Sequence, residues 1–135
     1  MQTLRLIVPI CLFLAGCAAT ATGWCEPPAR PATTAKLLFG RNIEGTQGVG
    51  DEDWRRFVEE ELTPRFPDGF TVLDGAGQWR SPGGLTEREA SKVVMLVLPG
   101  RPDDGARLEA VRAAYKARFR QQSVLLVTRP ACAAF

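Results

Sequence analysis

The residues best suited to chemistry lie in one short stretch near the middle of the chain. Glycines at positions 75 and 77 are flanked by side chains that carry charge, an amide or a large aromatic surface: Asp74, Gln78, Trp79 and Arg80. Glycine lets another group approach the backbone closely, so the stretch predicts a binding site for a small polar or anionic ligand. The alternative is a bulged, twisted strand that enters a hairpin, where glycine relieves strain and no ligand is needed.

Three further side chains are candidates for the same site. Arg65 precedes a turn at Asp68 and Gly69 and could reach the ligand from there. Lys92 interrupts an apolar strand, and a lysine in such a place either acts as a shifted amine or extends its ammonium to solvent. Tyr115 lies on the apolar stripe of a predicted helix, where it is either a ligand contact or a core residue.

The residue types that are missing exclude whole classes of chemistry. The chain contains no histidine, which excludes Ser-His-Asp triads, Cys-His dyads, imidazole metal sites and a histidine-ligated haem. The cysteines do not follow the Cys-x-x-Cys spacing of metal sites. We therefore expect no cofactor and no metal, and the net charge of +2 gives no electrostatic reason to expect nucleic acid as a partner.

Acid–base catalysis in this chain would fall to carboxylates, lysines or Tyr115. Because no catalytic constellation stands out, the sequence favours a non-enzymatic accessory domain that binds a ligand or an envelope protein partner. The alternative is a small cofactor-independent enzyme, similar to oxygenases or isomerases, with a cavity on a sheet face.

The elements that must position these residues follow from hydrophobic spacing. Two helices are predicted from apolar residues at helical intervals: Trp54, Phe57, Val58 and Leu62 in the first, and Leu108, Val111, Tyr115 and Phe119 in the second. Four strands are predicted at residues 36–39, 70–73 (with an extension to 80), 91–98 and 123–127, with 85–90 folding back onto 75–80. The order β-α-β-β-α-β predicts an α+β, ferredoxin-like fold, with two helices on one face of a four-stranded antiparallel sheet.

The last two strands are apolar at successive positions, as in Val93–Leu98. An antiparallel sheet with one wet face is expected to alternate, so the sequence predicts that the face away from the helices is also covered. A homodimer that packs sheet to sheet or a hydrophobic ligand would cover it. The alternative cover is the chain's own tail and the segment that precedes the domain.

The N-terminus has the pattern of an export signal. Arg5 precedes the apolar run Leu6–Leu14, and the run closes with Leu14-Ala15-Gly16-Cys17. This closure resembles the lipobox of bacterial lipoproteins, which implies a signal peptide at 1–16 and a membrane anchor on Cys17; the alternative is an ordinary signal peptide with a chance cysteine. The resemblance also implies a location: by the sorting rule of lipoproteins, an alanine after Cys17 rather than an aspartate favours the periplasmic face of the outer membrane. Residues 17–34 are predicted to be a tether and 35–135 a single domain.

Two cysteines remain for the exported domain, Cys25 and Cys132. Exported thiols are generally oxidised, so an even pair predicts a disulfide. Free thiols, or pairing with another chain, are the alternatives.

A long signature runs through the domain. It reads TPRFPDGFTVLDGAGQW over residues 63–79 and is followed by Glu89–Val94 and by the helical stretch 112–119. Residues 35–135 resemble a family of small bacterial exported domains that is named only as a domain of unknown function. The resemblance implies no activity.

Overall fold

The computed structural model describes residues 24–135. The predicted signal peptide and Cys17 lie outside the described residues. In chain order the elements are the strands β1 (Arg30–Gly40), β2 (Asn42–Ile43) and β3 (Thr46–Gln47), the helix α1 (Asp51–Phe57), the strands β4 (Thr71–Arg80) and β5 (Thr86–Leu98), the helix α2 (Asp104–Phe119) and the strand β6 (Leu125–Ala133). A π-helical segment, Val58–Leu62, continues α1 without a break.

Four of the six strands form the main sheet, in the order β4-β5-β1-β6. Every neighbouring pair in this sheet is antiparallel, and β2 and β3 pair separately as a short hairpin. The predicted α+β class, with a four-stranded antiparallel sheet and two helices, is confirmed.

The strands β1 and β6 are longer than the local sequence indicates. β1 begins at Arg30, inside the predicted tether, and β6 continues to Ala133, through the predicted tail. The two ends pair with each other from Arg30 with Ala133 onward. Pro130 is tolerated in β6 because this strand lies at the edge of the sheet, where no ladder partner needs its missing N–H.

Both helices pack on one face of the sheet through one hydrophobic core. Alternate residues of the two central strands are buried on this face: Ala35, Leu37 and Phe39 in β1, and Val94, Leu96 and Leu98 in β5. Five aromatic residues from β1, α1 and α2 pack against them. The ring centroids of the contacting pairs lie 4.7–6.2 Å apart, and the residues are Phe39, Trp54, Phe57, Tyr115 and Phe119. The helical spacing predicted from the sequence is therefore the spacing that fills the core.

The opposite face of the sheet, here called the open face, exposes apolar side chains. The residues of this face that are large, apolar and exposed are Leu73, Trp79, Met95, Val97, Leu125 and Val127. Nothing in the described part of the chain packs over them as the helices do over the core.

The predicted disulfide between Cys25 and Cys132 is confirmed. It joins the segment before β1 to the end of β6 and spans a sequence separation of 107. None of the described helices is both long enough and apolar enough to cross a membrane.

Candidate functional site

The strands β4 and β5 form a hairpin that extends beyond the rest of the sheet. Residues 86–90 of β5 pair with β4 only, whereas β1 pairs with β5 from Ser91 onward. The projecting part, residues 76–80 and 86–90, is here called the hairpin arm. It carries Gln78, Trp79 and Arg80, so most of the stretch singled out in the sequence lies on an arm with two accessible faces.

The face of the hairpin that continues the helix side carries a charged cluster. Lys92 Nζ lies 2.5 Å from Asp74 Oδ1 and 3.9 Å from Asp51 Oδ1, and only 12% of the Lys92 side chain is exposed. Arg41 is buried and donates from Nε to the Val49 carbonyl at 2.8 Å and from Nη2 to Asp51 at 2.8 Å. The cluster therefore pairs a buried arginine and a mostly buried lysine with two exposed carboxylates.

This pairing has an electrostatic consequence. The hydrogen bond from Lys92 holds the pKa of the Asp74 carboxyl below its ordinary value, and the nearby positive charges of Lys92 and Arg41 act in the same direction. Asp74 is therefore an ionised partner of Lys92, and the cluster as a whole is neutralised. Its evident role is to close the helix-side core where the apolar residues end.

The other candidate residues of the stretch are distributed over both faces of the arm. Gln78 lies opposite Arg88 and accepts a hydrogen bond from its Nε at 3.1 Å. Arg80 is exposed at the last position of β4. The side chain of Trp79 points to the other face from those of Gln78 and Arg80, because side chains alternate along a strand. It lies on the open face, where 49% of it is exposed.

A notch on the open face lies between Leu73 and Trp79. Its floor is Gly75 and Gly77, which pair with Ser91 and Glu89 of β5. A Cβ on Gly75 would lie 2.8 Å from Ser91 Oγ, and one on Gly77 would lie 3.6 Å from Glu89 Cγ. The glycines therefore leave space that the two β5 side chains partly occupy. The glycine notch, as the term is used here, consists of Leu73, Gly75, Gly77, Trp79, Glu89 and Ser91.

The carboxylate of Glu89 is held in a defined place beside this notch. A Cβ on Gly40 of β1 would lie 2.6 Å from Glu89 Oε2, so the carboxylate lies directly over that glycine. The Asn42 N–H donates to the same oxygen at 3.4 Å. Glu89 forms no ion pair within residues 24–135. It is thus a half-buried, oriented carboxylate without a counter-ion in the described chain.

The hairpin also forms an open depression of about 490 Å³. Its lining residues are Gly75, Ala76, Gly77, Gln78, Arg88, Glu89 and Ala90. Small side chains at four of these positions make the depression possible. Ala76, Gln78, Arg88 and Ala90 alternate onto the helix side of the arm, so the depression lies mainly on the face opposite the notch.

Two residues predicted for the site lie elsewhere. Arg65 is near the start of β4, at the opposite end from the arm, where it pairs with Glu61 at 2.6 Å. Tyr115 is buried in the core and donates its hydroxyl to the Gly40 carbonyl at 2.8 Å. Glu89 lies over one side of Gly40, and Tyr115 binds the carbonyl of the same glycine from the core. Tyr115 therefore does not face solvent.

Sequence reasoning did not identify Glu89 and Ser91 as site residues. The observed hairpin register places Glu89 opposite Gly77. Folding 85–90 directly back onto 75–80, as the sequence suggested, would have set Arg88 there instead, one residue away. The two glycines mark where side chains of the neighbouring strand need room. Among the described residues, no three Cys, Asp or Glu side chains are grouped as a metal ion would require.

The fold is shared with solved structures of an enzyme. A phage SAM lyase in complex with S-methyl-5'-thioadenosine is 14% identical, with a TM-score of 0.59, over 77% of this chain and 90% of that chain. A phage SAM lyase in the apo state is 17% identical, with a TM-score of 0.61, over 80% and 87%. At these identities the likeness shows the fold alone.

This likeness overturns one expectation from the sequence. A non-enzymatic accessory domain was predicted because no catalytic constellation was recognisable, but two solved structures that share the fold are those of a lyase. The prediction was therefore wrong in its main form, and the enzymatic alternative is the better supported one.

No curated protein matches the chain. The model of one family, described as "Protein of unknown function (DUF3574)", matches residues 34–135. This range covers β1 from its central part, both helices and all the later strands. The resemblance noted in the sequence is thereby confirmed, and the chain belongs to the DUF3574 family.

Proposed function

We propose that this domain is a small cofactor-independent enzyme whose active site is the glycine notch on the open face. The observation that carries the proposal is Glu89, an oriented carboxylate without an ion-pair partner among the described residues, beside a glycine floor and an exposed tryptophan. An accessible carboxylate is a competent general base. Its position on a fold that supports a lyase favours catalysis over simple binding.

The groups around the notch favour a substrate that carries positive charge. Trp79, Glu87 and Glu89 share the open face of the hairpin arm. An aromatic ring attracts a cation over its face, and two carboxylates add to that attraction. A sulfonium or quaternary ammonium compound with a planar ring fits this chemistry, and S-adenosylmethionine, which has both features, is the first substrate to test.

The proposed reaction is an elimination at the sulfonium centre. Glu89 accepts a proton from the carbon next to the carbon bonded to sulfur, and the electron pair released forms a carbon–carbon double bond. The carbon–sulfur bond breaks, and its electron pair remains on sulfur, which leaves as a neutral thioether. No cofactor is required, because a sulfonium is already an activated leaving group.

The test uses the chain from residue 18 onward, which contains every described element and both cysteines of the disulfide. It is incubated with S-adenosylmethionine, and S-methyl-5'-thioadenosine is measured by chromatography. We expect product formation in the unmodified chain and a loss of about 100-fold or more in Glu89→Gln, the usual range for removing a general base.

The control is Glu109→Gln, which changes an exposed glutamate on α2 and is expected to retain full activity. Equal turnover by Glu89→Gln and the unmodified chain would remove Glu89 from the mechanism. No turnover of S-adenosylmethionine or of other sulfonium and quaternary ammonium compounds would contradict the proposed substrate class.

We further propose that the strand arrangement is the ferredoxin-like one. The support is the order β4-β5-β1-β6 with antiparallel pairing throughout, in which β5 lies between the two strands, β1 and β4, that α1 connects. An experimental structure with a different strand order would contradict it.

The predicted localisation also stands as a proposal: an exported lipoprotein, anchored through Cys17 on the periplasmic face of the outer membrane. Its support is the lipobox-like closure at Leu14–Cys17. Metabolic labelling with a fatty acid is expected to mark the unmodified chain but not Cys17→Ser. Equal labelling of both would contradict the anchor.

A further inference from the structure

The charged residues of the open face are segregated at its two ends. The hairpin arm carries Glu87 and Glu89, and the opposite end carries Arg30 of β1 and Arg129 of β6. Between the two ends the face is mainly apolar, with Lys36 as the one charged residue among the described positions that alternate onto it. The open face is thus acidic at one end, apolar in the middle and basic at the other end.

We propose that two copies of this chain pack open face to open face, with the acidic end of each copy on the basic end of the other. A twofold axis between the two sheets, perpendicular to the line from the acidic end to the basic end, relates the two copies. Under this symmetry the contact between an acidic and a basic end forms twice. A surface with opposite charges at its ends is self-complementary under this operation, as a twofold dimer interface requires.

The charges at the two ends are available for such a contact. Arg30, Arg129, Glu87 and Glu89 form no ion pairs within residues 24–135. By contrast, the arginines of α2 and of the loop after it have ion-pair partners in the same copy, as Arg118 does with Glu60 and Arg120 with Glu44. Electrostatic complementarity across an interface fixes which surfaces meet and in which register.

The middle of the face supplies the apolar contact. Its exposed side chains are Leu73, Met95, Val97, Leu125 and Val127. Four strands spaced about 4.8 Å apart and up to 13 residues long give a face of at most about 800 Å², and a standard interface buries about that area on each partner. Lys36 pairs with Met95 and Val127, one strand in from the β6 edge, and a lysine stem can lie along apolar surface while its ammonium extends past that edge.

This arrangement changes the glycine notch, a consequence that rests on the proposed function. The basic end of the second copy would lie over the arm that holds Glu89 and Trp79, and it would close the notch into a cavity that excludes water. Arginines of the second copy would then lie near Glu89. The catalytic site would be complete only in the dimer.

The experiment is sedimentation equilibrium on the chain from residue 18 onward, with two charge reversals, Arg129→Glu and Glu87→Lys. We expect the unmodified chain to dimerise and each variant to have a dimer dissociation constant raised about tenfold or more, since like charges then meet twice in every dimer. An equimolar mixture of the two variants is expected to regain dimerisation, because opposite charges meet at both contacts of the heterodimer. Lys116→Glu, a charge reversal on α2, is the matched control and is expected to dimerise normally.

A monomeric unmodified chain would overturn the proposal, as would variants that dimerise like the unmodified chain or a mixture that fails to recover. The outcome is separable from the activity. A dimer that does not turn over any sulfonium or quaternary ammonium compound overturns only the enzymatic proposal, and turnover by a monomer overturns only the dimer. If both proposals hold, activity per chain rises with protein concentration, and the mixture of variants regains activity in the sites that keep Glu87.

Discussion

At the scale of the residue, Tyr115 offers the most direct test of the core, because it is the one tyrosine of the chain. Burial raises the pKa of its phenol well above the ordinary value of about 10. The folded state therefore retains this proton at a pH where the unfolded state has lost it, and the free energy of unfolding falls as pH rises above about 10. We expect the phenolate absorbance to appear near pH 10 in denaturant and only at higher pH in the folded chain.

The matched variant for this prediction is Tyr115→Phe, which removes the titrating group and the hydrogen bond to Gly40. We expect it to be about 1–2 kcal/mol less stable at neutral pH and to lose less stability between pH 9 and pH 11 (about one unit on either side of the ordinary pKa). Urea denaturation at each pH measures both effects. A folded chain whose phenol titrates at its ordinary pKa would contradict the burial of Tyr115.

Asp74 gives a second prediction at the residue scale. Lys92 lowers the pKa of its carboxyl, so the pair adds to stability above the ordinary pKa of aspartate and loses that contribution as pH falls through the lowered pKa. In Lys92→Met we expect the pKa of Asp74 to rise toward the ordinary value, measured by carbon NMR. Asp68 is the control, because its lowered pKa depends on Arg101. An unchanged Asp74 pKa would show that the ion pair does not form.

At the scale of the element, the hairpin arm is where the proposed site can be altered without disturbing the core. Gly77 faces the open side, and a Cβ there would meet Glu89 Cγ at the ordinary contact distance of 3.6 Å. We expect Gly77→Val to fold normally, because β-branched residues suit strands, but to fill the notch and lower kcat/KM by about tenfold. Thermal unfolding and turnover of S-adenosylmethionine measure the two effects.

The control for the arm is Gly83→Ala, in the turn of the same hairpin, where an added Cβ meets nothing within 4 Å. It is expected to leave both stability and turnover unchanged. If Gly77→Val had full activity, the notch would not be the substrate site, and the helix-side face of the arm would be tested next.

Element prediction from the sequence succeeded where hydrophobic spacing was strong and local. Val93–Leu98 was recognised as a strand and the spacing of Leu108, Val111 and Tyr115 as a helix, because burial of one stripe or face imposes a period. The ends of β1 and β6 were missed. Their strand conformation depends on pairing with each other across about 100 residues of sequence, which no local pattern contains.

At the scale of the whole molecule, the disulfide closes nearly the complete domain into one loop. The separation of 107 residues corresponds to a loop-entropy stabilisation of up to about 4.7 kcal/mol. We expect Cys25→Ser with Cys132→Ser to lower the free energy of unfolding toward that amount, with the secondary structure retained. Urea denaturation of the oxidised chain and the variant measures the difference.

A reducing agent provides the control for the disulfide, since it is expected to destabilise the unmodified chain and not the double variant. A difference below about 1 kcal/mol would show that the ends of β1 and β6 remain paired in the unfolded ensemble, or that the bond adds strain that offsets the entropy.

The sequence by itself determined the α+β class, the core-facing stripes of both helices, the cysteine pair and the family. These properties depend on residue types and on periods of two or 3.6, which are readable along the chain. Only the tertiary structure decided which polar groups meet. It paired Asp74 with Lys92, placed Arg65 at the far end of β4 and put Tyr115 behind Gly40.

The candidate site was also decided by tertiary structure. Glu89 became a candidate because the hairpin register sets it opposite Gly77 and because β1 brings Gly40 under its carboxylate. Neither contact is local in sequence, and a glutamate in an exposed strand has no pattern that distinguishes it. The physical reason is general: burial leaves a periodic trace in a sequence, whereas the meeting of two side chains depends on how distant strands align.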